Sequence, residues 1–92
     1  MIRSFKSRSL KLLWEKNDPS KLDARLTDRI LRRLDTLNQA ISPEEMNKPG
    51  FNFHRLRGNR AGTCTVHVNG PWYITFEWDG TDAIDVDLED YH

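Results

Sequence analysis

Two clusters in the chain hold side-chain types that move protons and bind phosphate. The first is His54-Arg55-Leu56-Arg57-Gly58-Asn59-Arg60, one imidazole and three guanidinium groups within seven positions. The second is the final tripeptide, Asp90-Tyr91-His92, which sets a carboxylate, a phenol and an imidazole side by side. Cleavage of RNA by its own 2′-hydroxyl needs a base for that hydroxyl, an acid for the departing 5′ oxygen, and cations around the pentavalent phosphorus. Histidine as a side-chain type titrates in the range for either proton role, and arginine supplies the cation and a fork that fits phosphate. Each cluster alone also reads as solvated polar surface, so the chemistry requires that the fold bring both to one face. His54, His92 and Asp90 are zinc or iron ligand types as well, but no two of them stand at ligand spacing. No metal and no cofactor is expected.

The rest of the sequence removes competing chemistries. It contains no G-x-S-x-G, Walker A, H-E-x-x-H or G-x-G-x-x-G pattern, so serine hydrolase, nucleotide, zincin and dinucleotide chemistry have no motif behind them. Cys64 is the sole cysteine. It allows no internal disulfide, fits a reducing compartment, and between Thr63 and Thr65 reads as a small buried hydrophobe. With 92 residues, a mean hydropathy of −0.73 and no long apolar run, the chain is expected to be one domain over 1–92, cytoplasmic, with no membrane span and no signal peptide. Its formal net charge of zero is a cancellation. All fourteen Lys and Arg lie in residues 1–60 beside seven acids, whereas residues 61–92 carry the other seven acids and no Lys or Arg.

These groups must be positioned by few elements. Ile2–Phe5 reads as a short edge strand, and Leu10, Leu13 and Trp14 mark one face of a helix over 9–16, stopped by Asn17-Asp18-Pro19-Ser20. Leu22, Leu26, Ile30, Leu34, Leu37 and Ile41 recur every three or four positions and predict an amphipathic helix over 20–41. One residue behind them run Lys21, Arg25, Arg29 and Arg33, which form either a solvated face or a ridge for phosphate or an acidic protein segment. Past a turn at 42–46 and a break at Lys48-Pro49-Gly50 the period changes to two. Phe51–Leu56, 63–68, 72–78 and 84–89 then read as four strands, with turns at Asn69-Gly70, opened by Pro71, and at Asp79-Gly80. Strict alternation puts Ile84, Val86 and Leu88 on one face, and Thr65, His67, Tyr73 and Thr75 together on the other. The expected class is α+β, two N-terminal helices packed on one face of a small antiparallel sheet whose other face stays open.

Across essentially its whole length the chain resembles HigB-type killer toxins of type II toxin–antitoxin systems, the plasmid-maintenance branch of the RelE-like superfamily. The residues that carry the resemblance are the opening Met1-Ile2-Arg3-Ser4-Phe5, the loop His54-x-Leu56-Arg57-Gly58-Asn59-Arg60-x-Gly62, the strands Val66-x-Val68-Asn69 and Trp72-x-Ile74-Thr75-Phe76, and above all the terminal Glu89-Asp90-Tyr91-His92. What it implies is a RelE-like fold and a ribosome-dependent mRNA endoribonuclease acting at the decoding site to inhibit translation. It further implies silencing by a HigA-like helix-turn-helix antitoxin. His54, Asp90, Tyr91 and His92 would be the catalytic set, and Arg57 matches the family's basic residue after the leucine. Arg55 and Arg60 join it as phosphate contacts. The chain departs from the family pattern at Tyr73, where most members have arginine, and at His67. Two readings follow. Either Tyr73 and His67 replace a phosphate cation with a stacking ring and a titratable base, or the chain is a weakened or silent homologue that serves as an antitoxin-binding module. In both, the sheet face itself carries Glu77, Asp85, Asp87 and Glu89 with no fixed cation, and repels RNA unless His67 supplies a charge or the loop arginines reach over it.

Overall fold

The computed structural model describes residues 1–90, and its elements follow the expected order. Helix α1 (Arg8–Lys16) and helix α2 (Thr27–Gln39) precede a 3-10 turn at Pro43–Met46. Strands β1 (His54–Arg55), β2 (Thr63–Asn69), β3 (Trp72–Trp78) and β4 (Ala83–Asp90) follow, paired antiparallel as a meander in the order β1-β2-β3-β4. Residues Ile2 and Phe5 bridge in parallel to Ala83 and Val86, so the N-terminal segment lies along the β4 edge as a pair of bridges. Among the described residues no helix is long and apolar enough to cross a membrane.

The helical layer sits on one face only. Leu10 and Leu13 of α1 and Ile30, Leu34 and Leu37 of α2 are buried, and they pack with Val66, Val68, Ile74, Phe76 and Val86 of the sheet. Cys64 is in the same core, and burial pushes its thiol pKa up, which makes it inert as a nucleophile. Helix α1 is capped by Ser7, whose hydroxyl accepts from Leu10 N, and ends at Asn17 in the left-handed region, φ 53°.

Four expectations need correction, each for a local reason. Helix α2 starts at Thr27 and not at 20. Asp18 accepts from Ser20 N at 3.0 Å and Asp23 from Arg25 N at 2.9 Å, so two side-chain-closed turns take up the segment that periodicity assigns to helix. The helix ends at Gln39, leaving Ile41 81% exposed. β1 covers only His54–Arg55 of the expected 51–56 strand; Asn52 stands at φ 48°, outside extended geometry. The β2–β3 turn centres on Gly70-Pro71, one residue later than Asn69-Gly70, because Asn69 itself pairs with Trp72. Gly70 takes the positive φ of 55° and the proline ring fits the second central position, where φ is negative.

The fourth correction changes what faces where. The β3–β4 register shifts between Thr75 and Glu77, and Asp85 sits in the bulge at φ 53° with its N–H donating to Ser4 Oγ at 2.8 Å. Before the bulge Ile84 pairs with Glu77 and Ala83 takes the buried side; after it Leu88 pairs with Ile74. Ile84 therefore lies on the face away from the helices, against the strict alternation read from sequence.

Candidate functional site

The helix-free face of the sheet is organised by register. One row crosses all four strands as His54, Thr65, Thr75 and Asp87, and a second runs His67, Tyr73 and Glu89. At about 4.8 Å per strand the ends of the first row are on the order of 14 Å apart, the scale of a few nucleotides. Its floor is the pair Thr65 and Thr75, both buried beneath taller neighbours. The centre of the face is thus polar yet shielded from solvent.

His54 stands exposed on β1, and its Nδ1 lies 2.9 Å from the Asn52 carbonyl oxygen. A carbonyl only accepts, so Nδ1 carries the proton of the neutral ring, and the lone pair sits on Nε2. The positive φ of Asn52 turns that carbonyl toward the imidazole two residues on. Neighbouring Arg55 takes the opposite parity. It pairs in register with Cys64, forms an ion pair with Glu44, donates to Cys64 Sγ at 3.8 Å, and stacks 5.8 Å from the Phe53 ring. The structure places Arg55 on the helix side, where it ties β1 to the 43–46 turn.

Arg57 and Arg60 flank a 3-10 turn at Gly58–Arg60, in which Gly58 at φ 69° supplies the reversal. Arg57 is exposed, with no side-chain partner among the described residues. Arg60 reaches across the face to Glu89 of β4 in a two-pronged pair: Nη1 to Oε1 at 2.9 Å and Nη2 to Oε2 at 2.7 Å. The Thr75 hydroxyl donates to the same Oε2 at 2.7 Å. The Arg60 guanidinium, then Thr75, hold the Glu89 carboxyl below the ordinary carboxylate range against the opposing effect of burial. The strands of the face bring no cation of their own, and a loop arginine reaches over it, the alternative that sequence left open; nothing in the spacing of residues 60 and 89 announces their pairing.

His67 and Tyr73 are direct cross-strand partners, as alternation suggested, with ring centroids 4.9 Å apart and planes tilted 52°. His67 Nε2 lies 2.8 Å from the Gly70 carbonyl oxygen and so donates to it. Asp90 pairs with Trp72 at the end of β4, on the parity opposite to Glu89, and is exposed. Tyr91 and His92 lie outside the described residues. Of the basic stripe on α2, Arg33 is buried and turned inward: Nε donates to His67 O at 2.7 Å, and the guanidinium covers the Phe51 ring at 4.5 Å. Burial, then the nearby Arg29 and Arg32, lower its pKa, yet arginine stays charged. Arg29 donates to Val68 O at 3.4 Å, so the two stripe residues that lie within α2 tie it to β2, while Arg25 pairs locally with Asp23 in the turn before the helix.

Comparison with known proteins adds an independent line. Residues 3–92 match the family described as the RelE-like toxin of type II toxin–antitoxin system HigB. Among curated relatives, the "Endoribonuclease HigB" of Proteus vulgaris is 40% identical over 92 residues, covering the whole of both chains. "Toxin HigB-1" of Vibrio cholerae serotype O1 is 28% identical over 80 residues, 85% of this chain and 84% of its own.

Proposed function

Since the chain belongs to the HigB family of RelE-like toxins and so has an antitoxin as its counterpart, we propose that it is an endoribonuclease that cuts mRNA on the translating ribosome. The observation that carries this reading is His54: its Nδ1–H is anchored on a backbone carbonyl, its Nε2 lone pair is left for proton transfer, and it stands on a face that a basic loop overhangs. The reaction is attack of the 2′ oxygen on phosphorus as a base removes the 2′ proton, with expulsion of the 5′ oxygen as an acid protonates it. His54 and His92 serve as the two proton-transfer groups; Asp90, which stands at the end of β4 on the parity opposite to the His54 row, serves as an orienting or basic partner of the terminal residues and not of His54. Arg57 and Arg60 bind the phosphates, and Tyr91 stacks on a base or holds the phosphate. Tyr73, at the position where the family resemblance leads one to expect arginine, supplies with His67 a second aromatic platform. Arg55, committed to Glu44, is left out of the contact set.

The counterpart is a HigA-like helix-turn-helix antitoxin, and this chain acts in the cytoplasm as a single domain over residues 1–92. Ribosome dependence is supported by the resemblance to HigB-type toxins, with the ribosome holding and bending the message against this face.

The test is expression with and without the antitoxin, together with mRNA cleavage in a translating extract and on the same RNA stripped of ribosomes. The expected result is growth arrest only without antitoxin, cuts in the translated message, and an intact naked RNA. Normal growth and uncut message in every arm would mean a silent antitoxin-binding module instead.

A further inference from the structure

On this face the Glu89 carboxylate binds a basic group of the overhanging loop. It is met by three hydrogen bonds, two from Arg60 and one from Thr75, which come from the loop and from β3. A long arginine on a short loop samples many rotamers when unanchored, and fixing it costs side-chain entropy. The fork-to-carboxylate geometry removes that freedom before RNA arrives. Because the carboxylate is itself pinned by Thr75 on a central strand, the guanidinium is located relative to the row His54–Thr65–Thr75. Arg57, three residues before Arg60, is carried with the loop.

We propose that Glu89 is a positioning residue: it clamps Arg60, and through it the 57–60 loop, over the cleavage face, so that the loop's cations meet the RNA phosphates preorganised. This rests on the nuclease reading above. Glu89 touches no reacting atom and acts through Arg60.

The experiment is a double-mutant cycle with kcat and KM for message cleavage by the full chain on programmed ribosomes. Glu89→Gln keeps an acceptor for Thr75 but loses the charge, and lowers kcat/KM about tenfold, the scale of one charge-assisted bond. Thr75→Val, which removes only the pin on Glu89, lowers it about threefold and covers the case in which Glu89→Gln folds poorly. In an Arg60→Met background Glu89→Gln has no further effect. The swapped double variant Arg60→Glu, Glu89→Arg recovers thermal stability but not cleavage, because the cation then sits on the strand. An undiminished Glu89→Gln overturns the proposal, as does a further tenfold loss in the Arg60→Met background, or cleavage restored by the swap. Each of those failures occurs with an active wild-type chain; a wild-type chain that cuts nothing overturns the nuclease reading and this inference with it.

Discussion

Replacing Arg33 with methionine separates two meanings of the basic stripe on α2. As a phosphate ridge the stripe requires Arg33 to face solvent, and its loss would weaken RNA binding without touching stability. The structure gives the residue another role. The β2 ladder breaks between His67 and Asn69, and the carbonyls of His67 and Val68 turn to α2, where Arg33 and Arg29 receive them. Methionine keeps most of the aliphatic stem and a good helix propensity, so the change isolates the guanidinium. The 2.7 Å charged bond to His67 O is worth about 1.5–3 kcal/mol and the desolvated contact with Phe51 about 1 kcal/mol. The 3.4 Å contact with Gly50 O adds little. The partial relief of burying a charge works against these, which leaves a net loss of about 3 kcal/mol. For a chain of this size that is a fall in Tm on the order of 15 °C. Urea unfolding followed by tryptophan fluorescence measures it directly. A loss below about 1 kcal/mol, with RNA affinity reduced instead, refutes the structural role.

Three further outcomes follow from the same geometry. His54→Ala, at an exposed position, shifts the urea midpoint by no more than about 0.5 kcal/mol while cutting message cleavage at least about 100-fold; a variant of normal activity moves the proton transfer elsewhere. Asp79 is lowered to about 2 from 3.8 by the N–H groups of Asp82 and Thr81, and Glu89 is lowered by Arg60. Both carboxylates are depressed in the folded state, so their stabilisation is complete above the unfolded values and is lost as pH falls. The urea midpoint is flat from pH 7 to about 5 and declines toward about 2, less steeply in Asp79→Asn; a midpoint that rises on acidification contradicts the assignment. Asp85→Gly, which relieves a φ of 53° while keeping the N–H to Ser4, raises stability by about 0.5–1 kcal/mol, and Asp85→Val lowers it, both read by thermal unfolding.

What sequence conveyed, it conveyed through periodicity. The 3.6-residue spacing of Ile30, Leu34 and Leu37 and the alternation of Val66, Val68, Ile74 and Phe76 predict the two layers and their shared core, which the structure bears out. The neighbouring placement of His67 and Tyr73 follows from one turn and a period of two. Periodicity cannot see an event that inserts a residue or closes a turn with a side chain. The Asp85 bulge reverses the parity of Ile84, and the Asp18 and Asp23 turns shorten α2 at its start, although apolar spacing continues through both. The inward turn of Arg33 was hidden for a related reason, since it answers to carbonyls released by a bulge on a strand 34 residues away. At the candidate site, residue types identified His54 and Arg60. The Asn52 carbonyl that sets the imidazole tautomer and the Glu89 that holds Arg60 are tertiary facts without a local signature.

The charge asymmetry along the chain acquires its meaning in this setting. The acidic last third does not confront RNA as a bare field, because cations of the basic part reach over to it: Arg3 to Asp79 and Asp82, the N-terminal ammonium to Asp82, and Arg60 to Glu89. The first three of these stitch the N-terminal segment to the far edge of the sheet, where β4 would otherwise present open backbone groups. The last lies on the candidate face itself. Neutralisation there has a physical consequence for RNA. A phosphate approaching the row from His54 to Asp87 meets the paired Arg60–Glu89, whose field is short-ranged, the opposing carboxylates of Asp87 and Glu77, and Arg57, whose charge is uncompensated by any described partner. Attraction from a distance is thereby weak and salt-screened, while at contact the Arg60 guanidinium is already held in place by Glu89. Such a face discriminates by fit more than by charge. That is the property expected of a nuclease that spares free RNA and acts where another surface holds the message against it.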